Sequence, residues 1–85
     1  MHPEQNHAWG IRNVTQIISA ARGGLLYKID YTSGENGFQP QVGEQITLPD
    51  GKVYKVLVRD TRYVAKKVSG VFQTTAYLDV FVKEL

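Results

Sequence analysis

The amino-acid sequence predicts a mainly β fold, and three observations carry that expectation. Apolar and polar residues alternate with period two along Leu25-Leu26-Tyr27-Lys28-Ile29-Asp30-Tyr31-Thr32 and again along the last third of the chain. Two short turn signals, Pro49-Asp50-Gly51 and Ser69-Gly70, sit between such runs. The connecting segments are short, which favours strands paired in sequence as an antiparallel meander of four or five members. With a small core and long strands, such a meander is expected to curl into an SH3-like or OB-like barrel.

Taken in order, residues 1–8 are polar, contain Pro3 and have no period, so they read as a flexible tail preceding one domain over 9–85. From Asn13 the residues predict one short N-terminal helix. Asn13 serves as N-cap with Gln16 three residues on, Val14, Ile17, Ile18 and Ala21 share one face, and Gly23 follows the end. The same stretch also reads as a strand over 9–19 closed by a hairpin loop at Ala20–Gly24, because Val, Thr and Ile are frequent in it.

Past Gly24 the alternation places Tyr27 and Ile29 on the inward side of a half-buried strand. Ser33-Gly34-Glu35-Asn36-Gly37 is a loop rich in residues that tolerate positive φ. Val42–Leu48 and Lys52–Arg59 form a hairpin in which Tyr54 faces Ile46, Tyr54, Val56 and Val58 point inward, and Gly51 takes a left-handed conformation. Asp60-Thr61 reads as a bend before a strand over Arg62–Val68. The Ser69-Gly70 turn then sets Val68 opposite Val71, Tyr63 opposite Ala76 and Arg62 opposite Tyr77. The expected core therefore adds Tyr63, Phe72, Ala76, Leu78, Val80 and Val82.

Several functional classes find no support. There is no Cys, and His2 and His7 both lie in the tail with no carboxylate at ligand spacing, so neither a metal nor another cofactor is expected. Carboxylates are scattered, and Arg22-Gly23-Gly24 lacks the Lys-Ser/Thr ending of a phosphate loop; no catalytic residue is assigned and the chain is not expected to be an enzyme. Apolar runs are far shorter than the roughly 20 residues that span a bilayer, and the start of the chain lacks the pattern of a secretory signal, which points to a cytoplasmic location.

Two surface features remain. The net charge of +2 is uneven: residues 52–70 carry +5, residues 1–50 carry −2 and residues 71–85 carry −1. Lys55, Arg59, Arg62 and Lys66 could neutralise phosphates, with Lys55 and Arg59 sharing one strand face and Arg62 and Lys66 the next. The second feature is the outward pair Tyr77 and Phe81 on the last strand, with Leu57 outward on its own strand, a candidate partner interface.

The stretch Val42-Gly43-Glu44-Gln45-Ile46-Thr47-Leu48-Pro49-Asp50-Gly51-Lys52-Val53-Tyr54-Lys55-Val56, followed by Tyr77-Leu78-Asp79-Val80-Phe81-Val82-Lys83, resembles small phage virion-joining proteins of the head-closure and tail-completion type. That resemblance implies a short β-barrel, assembly as a homo-oligomeric ring, and a place in the virion. Two expectations for function follow. In one, Leu57, Tyr77 and Phe81 form a protein interface with a partner or with a second copy. In the other, the basic residues hold a single-stranded nucleic acid while the aromatics stack on its bases.

Overall fold

The computed structural model describes residues 11–32 and 38–85, so the tail expected over 1–8 and the loop expected over 33–37 lie outside the described residues. Five strands appear in chain order: β1 Ile11–Ser19, β2 Leu25–Thr32, β3 Gln45–Thr47, β4 Val53–Val68 and β5 Val71–Glu84. They form one sheet in the order β2-β1-β5-β4-β3. The mainly β expectation holds, and none of the described residues is helical. The helix expected from Asn13 is replaced by β1, so the reading as strand and turn is the correct one. Val14, Thr15, Ile17 and Ile18 are β-branched and stiff at χ1, and the interior strand they occupy, between β2 and β5, has both faces to cover. The turn after it closes with Ser19 N–H on Gly24 O at 2.9 Å and Gly23 N–H on Ser19 O at 2.7 Å, with Gly23 at φ 77°.

The meander also needs correction. β1 runs parallel to β5, from Ile11 beside Thr74 to Ser19 beside Val82, while β1–β2, β3–β4 and β4–β5 are antiparallel. The sheet is thus mixed, with β1 inserted between β2 and β5, and it does not close into a barrel. Both short turns appear as expected. Tyr54 faces Ile46, Gly51 sits at φ 85°, and Ser69 and Gly70 take φ 51° and 80°. The register from Val68↔Val71 through Tyr63↔Ala76 to Arg62↔Tyr77 is as the turn dictates.

One face of the sheet carries the core: Ile17, Leu48, Tyr54, Val56, Leu78, Val80 and Val82, with Tyr27, Phe38 and Ile46 packed against it. A strap over Phe38–Gln41 crosses this face. Thr15 Oγ1 donates to Phe38 O at 2.7 Å, Gln39 Nε2 to Tyr31 Oη at 3.2 Å, and Arg59 Nη1 to Gln41 Oε1 at 2.7 Å. These bonds tie the strap to β1, β2 and β4 in turn. Beyond it, Gly43 N–H donates to Val56 O and Val56 N–H to Glu44 O, both at 2.9 Å, extending the pairing of β3 with β4.

Three residues expected in the core are exposed: Val58 at 49%, Tyr63 at 72% and Phe72 at 65%. Val58 moves because β4 and β5 shift register between Val56 and Val58, an irregularity that reverses the alternation. Val56 stays inward opposite Val82, Val58 falls opposite outward Phe81, and Arg59 turns inward opposite Val80. Tyr63 and Phe72 keep their phase, but Phe72 lies past the last β1–β5 pair at Ile11↔Thr74, and Tyr63, opposite Ala76, lies where β4 has run beyond β3 and become the edge of the sheet. The bend expected at Asp60-Thr61 is absent, since β4 passes through both residues unbroken.

Candidate interaction surface

β4 and β5 have 16 and 14 residues, and β1 reaches β5 no further than Thr74. The hairpin therefore projects past the other described strands as a two-stranded ribbon. Sixteen extended residues rise about 3.3 Å each, so β4 alone accounts for a long molecular axis of 50 Å against 23 and 20 Å across. Every residue from Thr61 to Gln73 is exposed. Along this arm and at its base, where β1 still pairs with β5, Tyr63, Val64, Val68, Val71 and Phe72 present apolar surface on both sides, and Arg62 at the base with Lys66 and Lys67 on the arm supplies charge with no acid between 61 and 74. Cross-strand neighbours explain its local order: Lys67 faces Phe72, with Nζ 5.7 Å from the ring centroid.

Of the expected interface residues, Tyr77 and Phe81 lie on the sheet face opposite the core. Tyr77 and Phe81 flank Asp79 on β5 and are half-buried, and Leu57 is exposed at the register shift of β4. Around Tyr77 the side chains already engage each other. Arg62 Nε donates to Asp79 Oδ2 at 2.9 Å, and its guanidinium lies 4.2 Å from the Tyr77 ring centroid. Val14 sits beside Tyr77 on the adjacent strand and is only 3% exposed.

Three of the four expected phosphate-binding residues share one side of β4, and Arg59 does not. The register shift places Arg59 on the core side, bonded to Gln41, while Lys55, Arg62 and Lys66 share the opposite phase of β4. Arg62 is committed to Asp79 and Tyr77. Lys66 and Lys67 remain on the ribbon, on opposite sides.

A second surface has no signal of its own in the sequence. Where a barrel would have closed, the edge strands β2 and β3 leave an open seam, a groove of about 390 Å³ lined by Tyr27, Ile29, Phe38, Thr47, Leu48 and Pro49. Its floor is aromatic, with Tyr27 and Phe38 packed edge to face at 6.5 Å between centroids. Tyr27 and Ile29 are legible as an inward phase, but the facing wall depends on how the Phe38–Gln41 strap folds back, which no local pattern encodes. No group of three or more Asp, Glu, His or Cys suited to a metal occurs among the described residues. Nor is there among them a helix long and apolar enough to cross a membrane.

Comparison with protein-family models, with curated proteins and with solved structures finds no match for this chain. The fold and surface define it as a mainly β domain with a projecting two-stranded arm.

Proposed function

We propose that this chain is a non-catalytic protein-interaction module that works through the β4–β5 ribbon. One observation carries the reading: from Thr61 to Gln73 the ribbon is exposed on both sides yet holds Tyr63, Val64, Val68, Val71 and Phe72. Large apolar side chains left exposed on both sides of a ribbon outside the core mark a contact made with another molecule. The resemblance to virion-joining proteins supports the same reading, with Tyr77 and Phe81 on the broad face and Leu57 at the register shift as a second contact region.

Of the residues expected for the nucleic-acid alternative, Lys55 and Lys66 stay exposed on one side of β4, with Lys67 on the other side of the ribbon, whereas Arg59 and Arg62 are held by Gln41 and Asp79. The deciding experiment compares the wild type with a Tyr63→Ser, Phe72→Ser double variant by sedimentation over a range of concentrations, with and without single-stranded oligonucleotide. The interaction reading expects an unchanged unfolding midpoint, loss of protein association and no oligonucleotide binding at low salt. Oligonucleotide binding by both proteins, with no protein association to lose, would overturn it in favour of the alternative.

A further inference from the structure

We propose that the ribbon tip of one copy of this chain docks in the β2–β3 seam groove of a second copy. This rests on the interaction reading and names its partner. The two surfaces cannot meet within one molecule. β4 begins at Val53, just after the Pro49 turn that walls the groove, and runs unbroken to Val68 at the tip, so the length of the strand separates them.

Shape and chemistry match between the two ends. At the tip, the pair Lys67↔Phe72 faces one side and the pair Val68↔Val71 the other, so the tip is apolar on both sides and is covered best by a site with two walls. The groove has two, Tyr27 and Ile29 on β2 against Thr47, Leu48 and Pro49, and Phe38, packed edge to face on Tyr27, also lines it. Its volume of about 390 Å³ admits the Phe72 side chain. Charge agrees as well. The arm carries Lys66 and Lys67 with no acid near them, Arg62 at its base being held by Asp79, whereas residues 38–50 carry Glu44 and Asp50 without a base. Attraction between them orients the encounter, and like-charge contact disfavours arm against arm.

The contact joins two different patches, so it is heterologous. Each copy keeps one free arm and one free groove, and repetition gives a ring where the rotation closes and a filament where it does not. A single arm-in-groove contact is smaller than the roughly 800 Å² per partner of a standard interface, so association is expected to depend steeply on concentration.

A complementation experiment tests this. The arm variant is Tyr63→Ser with Phe72→Ser. The groove variant is Thr47→Arg, which sets a large cation at an exposed rim position facing the incoming lysines; Ile29→Ser serves as a second groove variant, and each is checked for wild-type circular dichroism. Sedimentation is expected to show wild-type mass rising above 9.6 kDa with concentration. Each variant alone should associate at least about tenfold more weakly, and an equimolar mixture of arm and groove variants should form a 1:1 complex through the one intact arm and one intact groove. A wild type that stays monomeric, a groove variant that associates like wild type, or a mixture with no 1:1 complex overturns docking between copies. The interaction reading fails on a different result, an arm variant whose associations with itself and with other proteins all equal those of the wild type.

Discussion

Arg62 and Asp79 are joined across the β4–β5 pair by a 2.9 Å bond from Nε to Oδ2, and Asp79 is nearly buried while Arg62 is half exposed. Asp79 directly faces Asp60 on β4, so two carboxylates occupy opposed positions where like charges are destabilising. The Arg62 guanidinium offsets that repulsion and covers the Tyr77 ring at 4.2 Å. Asp79 Oδ1 has no hydrogen-bond partner, so Arg62 supplies this carboxylate's only side-chain bond among the described residues.

Arg62→Ala is therefore expected to destabilise the fold by about 1–3 kcal/mol, at the lower end of what breaking a buried pair costs because the arginine side is solvated. Asp79→Asn should reduce the cost of the same change, since a neutral amide tolerates isolation better than a carboxylate. Chemical denaturation of the two single variants and the double variant measures the coupling; additive effects would show that the pair contributes nothing. A nucleic-acid test should accordingly change Lys66 and Lys67, which can be replaced without disturbing this pair.

Burial separates residues that share one alternation. Ile17 is fully buried on β1, and Ile17→Ala is expected to cost about 2–5 kcal/mol through lost transfer energy and the cavity left behind. Phe72 keeps the inward phase of β5 but sits on the ribbon at 65% exposure, so Phe72→Ala should change stability by no more than about 0.5 kcal/mol. Equal losses at the two positions would place the ribbon in the core.

That contrast shows what periodicity can and cannot reveal. The phase of β5, the Tyr54–Ile46 pairing, both tight turns and the Arg62↔Tyr77 register are legible because each follows from local alternation and turn geometry. Phe72 and Tyr63 defeat the pattern because alternation marks which side a residue takes and not whether a neighbouring strand reaches that far. Val58 and Arg59 exchange sides because a bulge leaves no obvious mark in a run as regular as Val56-Leu57-Val58. In β1, Asn13, Gln16 and Ile17 satisfy a helix-start pattern, and only the parallel pairing with β5, distant in sequence, makes the β-branched content decisive. The candidate arm is visible as basic residues and apolar strand positions. The groove is not, because it needs two non-adjacent strands and the strap.

The two turns make different demands. Gly51 has φ 85°, and a Cβ added there would meet nothing within 4 Å, so a side chain at this position brings backbone strain and no clash. Gly51→Val should destabilise by about 1–2 kcal/mol, and Lys52→Val by much less. Ser69 adopts φ 51° in the β4–β5 turn, a conformation in which Asn is preferred over Ser. Ser69→Asn is expected to raise the thermal midpoint slightly, and a fall would argue against this turn geometry.

The hairpin between β3 and β4 should also set a pH dependence. Asp50 Oδ1 accepts from Lys52 N–H at 2.8 Å, and Oδ2 accepts from Tyr54 Oη–H at 2.9 Å. The Lys52 backbone bond, followed by the Tyr54 hydroxyl and the Lys52 charge, lowers the Asp50 pKa from its ordinary 3.8. Tyr54, which donates to that carboxylate and is desolvated in the core, is raised above its ordinary 10.0. A lowered carboxylate favours the fold above its unfolded pKa, and this stabilisation is lost as pH falls through the folded value; the acid limb therefore lies below about pH 4. A raised phenol favours the fold while protonated, and that contribution is lost as pH rises past 10 through its higher folded value. Unfolding midpoints should thus be flat between the two limbs so far as this pair is concerned. Tyr54→Phe should abolish the pair's share of the alkaline limb and soften the acid one, whereas Asp50→Asn should remove its share of the acid limb and move the alkaline limb down toward pH 10. Denaturation profiles of both variants identical in shape to wild type at each extreme would show that the Asp50–Tyr54 bond does not form in solution.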